Sequence, residues 1–119
     1  PKVLVLDEPT AQLDPLGTEQ VFSLIKKLTK KGMTIVLVSN KIDYLAEFAD
    51  RVLLFKNKVV SFDETRELLT NTKLLKKYKI QPSILTQLSS ELIKKGLWKG
   101  DLILNMKEAR KMIKEVLKK

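Results

Sequence analysis

Two uninterrupted apolar runs, Val3 to Leu6 and Thr34 to Val38, flank a segment with helical periodicity. Each run is short and rich in β-branched residues, the pattern of a parallel strand buried on both faces. Between them, Val21, Leu24, Ile25 and Leu28 recur at i, i+3, i+4 and i+7. That spacing predicts a helix over residues 19–30 with those four as its buried stripe. Thr18 is the expected N-cap and Gly32 the stop. Thr10 to Gly17 reads as a loop punctuated by Pro15 and Gly17. Strand, helix, strand at this spacing is a βαβ unit with parallel strands and a right-handed crossover.

Further along, residues 42–49 read as a short helix with Asp43 near its start. Arg51 to Phe55 and Val59 to Phe62 read as strands joined by Lys56-Asn57-Lys58 in a tight hairpin. From Asp63 the pattern turns helical. Short helices are expected over Glu64–Thr70 and Lys73–Tyr78, then a longer one over residues 83–95 with Pro82 in its first turn and Gly96 at its end. Leu97 to Asp101 is a connector. Asn105 or Met106 opens a last amphipathic helix to Lys119, with Ala109, Met112, Ile113 and Val116 on one face. The fold class is therefore α/β: a sheet with a βαβ unit and a hairpin (residues 1–62), then a small helical region (residues 63–119). The boundary falls within Asp63–Gln81.

Composition narrows the chemistry. The chain has 119 residues, no Cys and no His. Disulfides, Cys/His zinc sites and histidine acid–base catalysis within the chain are excluded. No apolar run reaches the length of a membrane-spanning helix, and no signal peptide is visible. A strand-like run directly behind Pro1 reads as the interior of a longer parent protein. The net charge is +9, unevenly spread. Residues 1–62 carry nine basic and seven acidic side chains, whereas residues 63–119 carry fourteen and seven. A basic half can meet nucleic acid or anionic lipid; lysine-rich solvated helix faces give the same count. Aromatics do not interleave with the lysines as a single-strand-binding groove requires.

The candidate chemistry sits where the first strand ends in Asp7-Glu8. A strand delivers such a pair to the sheet's C-terminal edge, where α/β proteins bind ligands. Successive side chains alternate in direction, so one carboxylate can hold Mg²⁺ while the next orients or deprotonates an attacking water. A polar strand terminus without chemistry also fits the pair taken alone.

The longer run is more specific. Leu6-Asp7-Glu8-Pro9-Thr10-Ala11-Gln12-Leu13-Asp14-Pro15 resembles the Walker B segment and D-loop of ATP-binding cassette (ABC) ATPases. Thr34-Ile35-Val36-Leu37-Val38-Ser39-Asn40 is similar to the strand leading into that family's H-loop, and Tyr44 to Val52 resembles its next helix and strand. The blocks occur in the family's order and spacing. The resemblance implies a partial P-loop NTPase sheet that works with Mg²⁺ and ATP. It implies that Asp7 holds Mg²⁺ through water, Glu8 is the catalytic carboxylate, and Asp14 acts across a dimer. Asn40 departs from the pattern, since the family usually has His there against the γ-phosphate. Asn donates a hydrogen bond but carries no proton or positive charge. Two readings follow: a slow, regulatory half-site in an asymmetric dimer, or a site where Asn suffices because other groups hold the phosphate.

Nucleotide binding by this family also needs a Gly-x-x-x-x-Gly-Lys-Ser/Thr loop, whose backbone amides and lysine cradle the phosphates. None of Gly17, Gly32, Gly96 and Gly100 starts such a loop, and no signature like Leu-Ser-Gly-Gly-Gln is present. Asp7 and Glu8 alone would face a tetra-anion with little to offset it. The 119-residue chain by itself is therefore expected neither to bind ATP tightly nor to hydrolyse it. Its two strands would also lack neighbours and expose apolar surface.

Leu74 to Leu88, with Pro82-x-x-x-Thr86-x-Leu88, looks like the C-terminal region of cobalt-type and energy-coupling-factor ATPases. That likeness implies a peripheral subunit on the cytoplasmic face of the membrane, paired with a second ATPase and docked on a transmembrane coupling protein, driving uptake of a vitamin or metal ion. A helical cap over the sheet edge is the plainer role for the same residues. Two other functions stay open: a non-catalytic dimerisation or regulatory half, and a DNA-associated ATPase of the same superfamily. The absence of coiled-coil heptads disfavours the latter, and no nucleic-acid partner is expected.

Overall fold

The computed structural model describes residues 2–118. Pro1, and the expected end of the last helix at Lys119, lie outside the described residues. The element order is β1 (Val3–Asp7), α1 (Pro15–Lys30), β2 (Thr34–Val38), α2 (Ile42–Phe48), β3 (Arg51–Lys56), β4 (Lys58–Glu64), α3 (Thr65–Leu69), α4 (Thr72–Lys77), α5 (Ile84–Lys94) and α6 (Met106–Leu117). The chain forms two compact units, Pro1–Lys41 and Ile42–Lys119. The hairpin groups with the helices because α3 packs on β3 and β4. Division by packing thus precedes the change in composition near residue 62.

The first unit is the expected βαβ arrangement. β1 and β2 pair in parallel, from Val3 opposite Thr34 to Asp7 opposite Val38. Continuous apolar runs suggested burial on both faces, but only alternate residues are covered. Val3, Val5, Val36 and Val38 are exposed, Val5 to 64%; side chains alternate between the two faces of the sheet, and the face that carries these four is left uncovered.

Helix α1 starts earlier than its apolar stripe suggests. Asp14, not Thr18, is its N-cap: the carboxylate accepts from the Gly17 amide at 2.7 Å, and Pro15 occupies the first turn. This is the favoured Asp-cap, Pro-N1 combination, and it draws Gly17 into the helix. The buried face is Thr18, Phe22 and Ile25. Leu24 is exposed, while Val21 and Leu28 are half-buried. The stripe is rotated toward Phe22, which is fully buried and offers more apolar area than Leu24. The helix closes as expected at Gly32 (φ 91°), with Met33 N–H donating to Leu28 O and Gly32 N–H to Thr29 O. This Schellman pattern needs a left-handed residue.

In the second unit β3 and β4 are antiparallel, with Asn57 (φ 62°) in the turn. A bulge at Val60 shifts the register between Leu54–Ser61 and Phe55–Val59. Helices α3 to α6 fall where the periodicity put them, with ends adjusted by caps. Asn71, Ser83 and Asn105 accept from the third residue beyond. Pro82 therefore precedes the cap of α5 instead of sitting in its first turn.

Two apolar clusters hold this unit. Ala46, Leu69 and Leu104 gather Ile42, Leu45 and Val52. Ile103, Ala109 and Met112 gather Leu85, Leu92, Trp98 and Val116. Ile113, expected on the buried face of α6, is exposed. Buried hydroxyls on α5 clasp the segment just before α6: Thr86 Oγ1 donates to Ile103 O at 2.7 Å, and Ser89 Oγ accepts from Ile103 N–H at 3.0 Å. The threonine of the Pro82-x-x-x-Thr86 motif thus has a local role. Glu47 receives the Met106 amide at 2.7 Å, and Arg66 pairs with Glu108. No helix among the described residues is long and apolar enough to cross a membrane.

Candidate functional site

The four residues singled out from the sequence all lie in the first unit. Parallel pairing brings the C-terminal ends of β1 and β2 to one edge. Asp7 closes β1 opposite Val38, and Asn40 follows two residues after Val38. The chain leaves β1 through a kinked turn. The Glu8 amide donates to Val38 O at 2.8 Å, and Ala11 N–H returns to Glu8 O at 3.3 Å. Glu8 has φ 45°, left-handed space in which a residue with a Cβ is strained by roughly 1–2 kcal/mol. Such strain persists only where the surroundings enforce it, and it clusters at functional positions.

Asp7 is exposed and Glu8 half-buried. Among the described residues neither takes part in a salt bridge. Asp14 and Asn40 are also exposed. The Asp14 carboxylate is engaged locally as the α1 cap, a role beyond the inter-subunit one its motif implies.

The donor set suits Mg²⁺ held with substrate. Among the described residues no group of three or more His, Cys, Asp or Glu could enclose a metal ion. What the strand end offers is one exposed and one half-buried carboxylate. Mg²⁺ retains several waters and is commonly bound through one or two carboxylates plus substrate phosphates. The residues fit that mode and do not fit an all-protein cage.

Lys41, which no sequence motif marks, joins the segments around these residues. Its ammonium donates to Thr10 O at 2.9 Å and to Thr18 Oγ1 at 3.2 Å, and its amide to Ser39 Oγ at 3.1 Å. One side chain therefore bridges the end of β2, the turn after Glu8 and the start of α1. No spacing rule signals a lysine reaching across a βαβ unit. Thr10 is fully buried, and its Oγ1 has no hydrogen-bond partner among the described residues.

Known proteins resemble this chain over nearly all of it. The energy-coupling factor transporter ATP-binding protein EcfA2 of Streptococcus pyogenes serotype M5 (strain Manfredo) is 38% identical over 115 residues, 96% of this chain and 41% of that protein. The EcfA2 of serotype M3 (strain SSI-1) matches to the same extent. The chain thus spans about two fifths of the length of these relatives. No family model matches it. Among solved structures, CbiO1 from Clostridium perfringens, part of the ABC transporter complex cbiONQ, superposes with TM-score 0.54 and 32% identity over 68% of this chain and 33% of that one. The ADP conformation of MJ1267, an ATP-binding cassette of an ABC transporter, gives TM-score 0.56 over 68% of this chain and 34% of that one. Its 23% identity speaks to the fold alone. Over nearly its whole length in sequence, and over about two thirds of it in fold, this chain is similar to part of the ATP-binding proteins of ABC transporters.

Proposed function

We propose that the chain contributes the Mg²⁺-and-water half of an ATP hydrolysis site to the ATP-binding subunit of an energy-coupling-factor-type importer. The observation that carries this is the strand end itself: an exposed Asp7 followed by a Glu8 held in left-handed backbone at the edge shared with Asn40. In this reading Asp7 holds the metal through water. Glu8, turned by its kink, accepts a hydrogen bond from the attacking water and draws off its proton. Mg²⁺ supplies charge neutralisation on the phosphate oxygens when bound. Asp14 faces a second ATPase subunit, and Asn40 donates its amide toward the terminal phosphate.

Residues 1–62 then belong to the catalytic core and residues 63–119 to a region that meets the second ATPase. The 38% identity to proteins named for energy-coupling factor transport supports that setting. The complete subunit would sit on the cytoplasmic face of the membrane against a transmembrane coupling protein, with uptake of a vitamin or metal ion as the work done. Asn40 favours a second reading, in which this half-site turns over slowly and regulates a faster partner.

ATP hydrolysis by the complete subunit with its partner, comparing Glu8→Gln and Asn40→His, tests both. Loss of turnover in Glu8→Gln with a gain in Asn40→His marks a catalytic site tuned down by Asn40. Insensitivity to both marks a degenerate site and refutes the proposal.

A further inference from the structure

Lys41 stands where the two chemistry-bearing segments of the first unit meet. It directly follows Asn40, and its ammonium reaches Thr10, two residues after Glu8. Both groups that receive it belong to buried residues, Thr10 at 0% and Thr18 at 2% exposure. The Thr10 carbonyl also accepts from Leu13 N–H at 3.1 Å, so it takes two donors, one of them charged. Hydrogen bonds from charged donors are shorter and stronger than neutral ones. Holding a long lysine side chain in one half-buried pose also costs rotamer freedom.

The connection joins two closed turns. The turn after Glu8 closes on itself through Ala11 N–H to Glu8 O, and the next turn through Leu13 N–H to Thr10 O. Fixing Thr10 O therefore fixes the turn that aims Glu8. On the other side the Lys41 amide is tied to Ser39 Oγ, so Asn40 is spanned by a closed local turn. One side chain thus links the Asn40 segment to the Glu8 turn.

We propose that Lys41 is a positioning residue: its ammonium locks the Glu8 turn to the Asn40 segment and to Thr18 of α1, setting the Glu8 carboxylate for the attacking water. This rests on the ATP-site reading above. It assigns Lys41 no contact with nucleotide, so its loss acts on turnover and spares binding.

The test uses the complete ATP-binding subunit with its partner. Lys41→Met, Lys41→Arg and Thr18→Val are compared with the parent and with Glu8→Gln. The readouts are kcat, KM for ATP, equilibrium binding of a non-hydrolysable ATP analogue and the thermal midpoint. A misplaced general base costs on the order of tenfold or more in kcat. We expect that loss in Lys41→Met, with KM and analogue binding within about threefold. Lys41→Arg restores most of the turnover, and Thr18→Val gives a smaller loss of the same kind. Turnover of Lys41→Met within about twofold of the parent overturns the inference, as does a parallel fall of analogue binding, kcat and thermal midpoint. Should Lys41→Met not fold, unchanged kcat in Thr18→Val overturns it equally. Parent turnover that ignores Glu8→Gln removes the ATP-site reading and this inference with it; turnover that needs Glu8 but ignores Lys41 removes the inference alone.

Discussion

The Glu8 amide donates to the Val38 carbonyl at 2.8 Å, one step beyond the Asp7–Val38 register pair, and holds Glu8 in left-handed backbone. The pairing of β1 with β2 thus enforces a conformation that Glu8 would not choose. Glycine adopts it without a Cβ clash. Glu8→Gly is therefore expected to stabilise the chain by about 1 kcal/mol, while Glu8→Gln, which loses the same charge but keeps the Cβ, leaves stability nearly unchanged. Urea unfolding of the two variants measures the difference. Equal midpoints would mean that the turn carries no strain.

Acid sensitivity in the second unit is expected to run through Glu108. The Arg66 guanidinium, hydrogen-bonded to Glu108, holds its carboxyl below the usual range against the opposing effect of burial, with help from the Leu104 amide. A depressed folded-state value means that Glu108 contributes its full stabilisation above the ordinary glutamate range of about pH 4.3. That contribution is lost as pH falls through the depressed value. The pair is partly exposed, at 43% and 33% of its side chains, so its worth is discounted to about 0.5–1 kcal/mol. Glu108→Gln should cost that much at pH 7 and flatten the acid limb of the stability profile. An unchanged acid limb, followed by circular dichroism, would contradict the assignment.

The hydroxyl clasp on α5 predicts a larger effect. Thr86 Oγ1 donates to Ile103 O and contacts Ser83 Oγ at 2.9 Å, all within buried surroundings. Thr86→Val keeps the shape and leaves these polar groups short of a partner, at a cost of about 1–3 kcal/mol. Ser89→Ala removes the acceptor of the Ile103 amide and should fall in the same range. Denaturant midpoints decide; near-neutral values for both would show that the Ile103 segment is held by its apolar contacts.

Much of this architecture was legible in the residue pattern. Two apolar runs and the segment between them identified the βαβ unit, because parallel strands and helices differ in period. Asn57 and Gly32 marked their turns. The start of α1 was misplaced although Asp14-Pro15 carried the signal, since Gly17 looked like a break and is tolerated in the first turn. The predicted stripe includes Leu24 and leaves out Phe22, whereas Phe22 is buried and Leu24 exposed. Val3, Val5, Val36 and Val38 share the uncovered face of the two-stranded sheet, against the burial their composition suggests. Asp7, Glu8, Asp14 and Asn40 are singled out by a local motif. Lys41 is not, because its partners at Thr10 and Thr18 are set by tertiary packing that no local pattern encodes.

Calorimetric titration of Mg·ATP into the 119-residue chain tests most directly whether Asp7 and Glu8 form only part of a nucleotide site. Two carboxylates without a phosphate cradle give little net attraction for a polyanion. No saturable heat is expected up to about millimolar nucleotide, a free energy no better than roughly −4 kcal/mol. Saturable binding at micromolar concentration would contradict it.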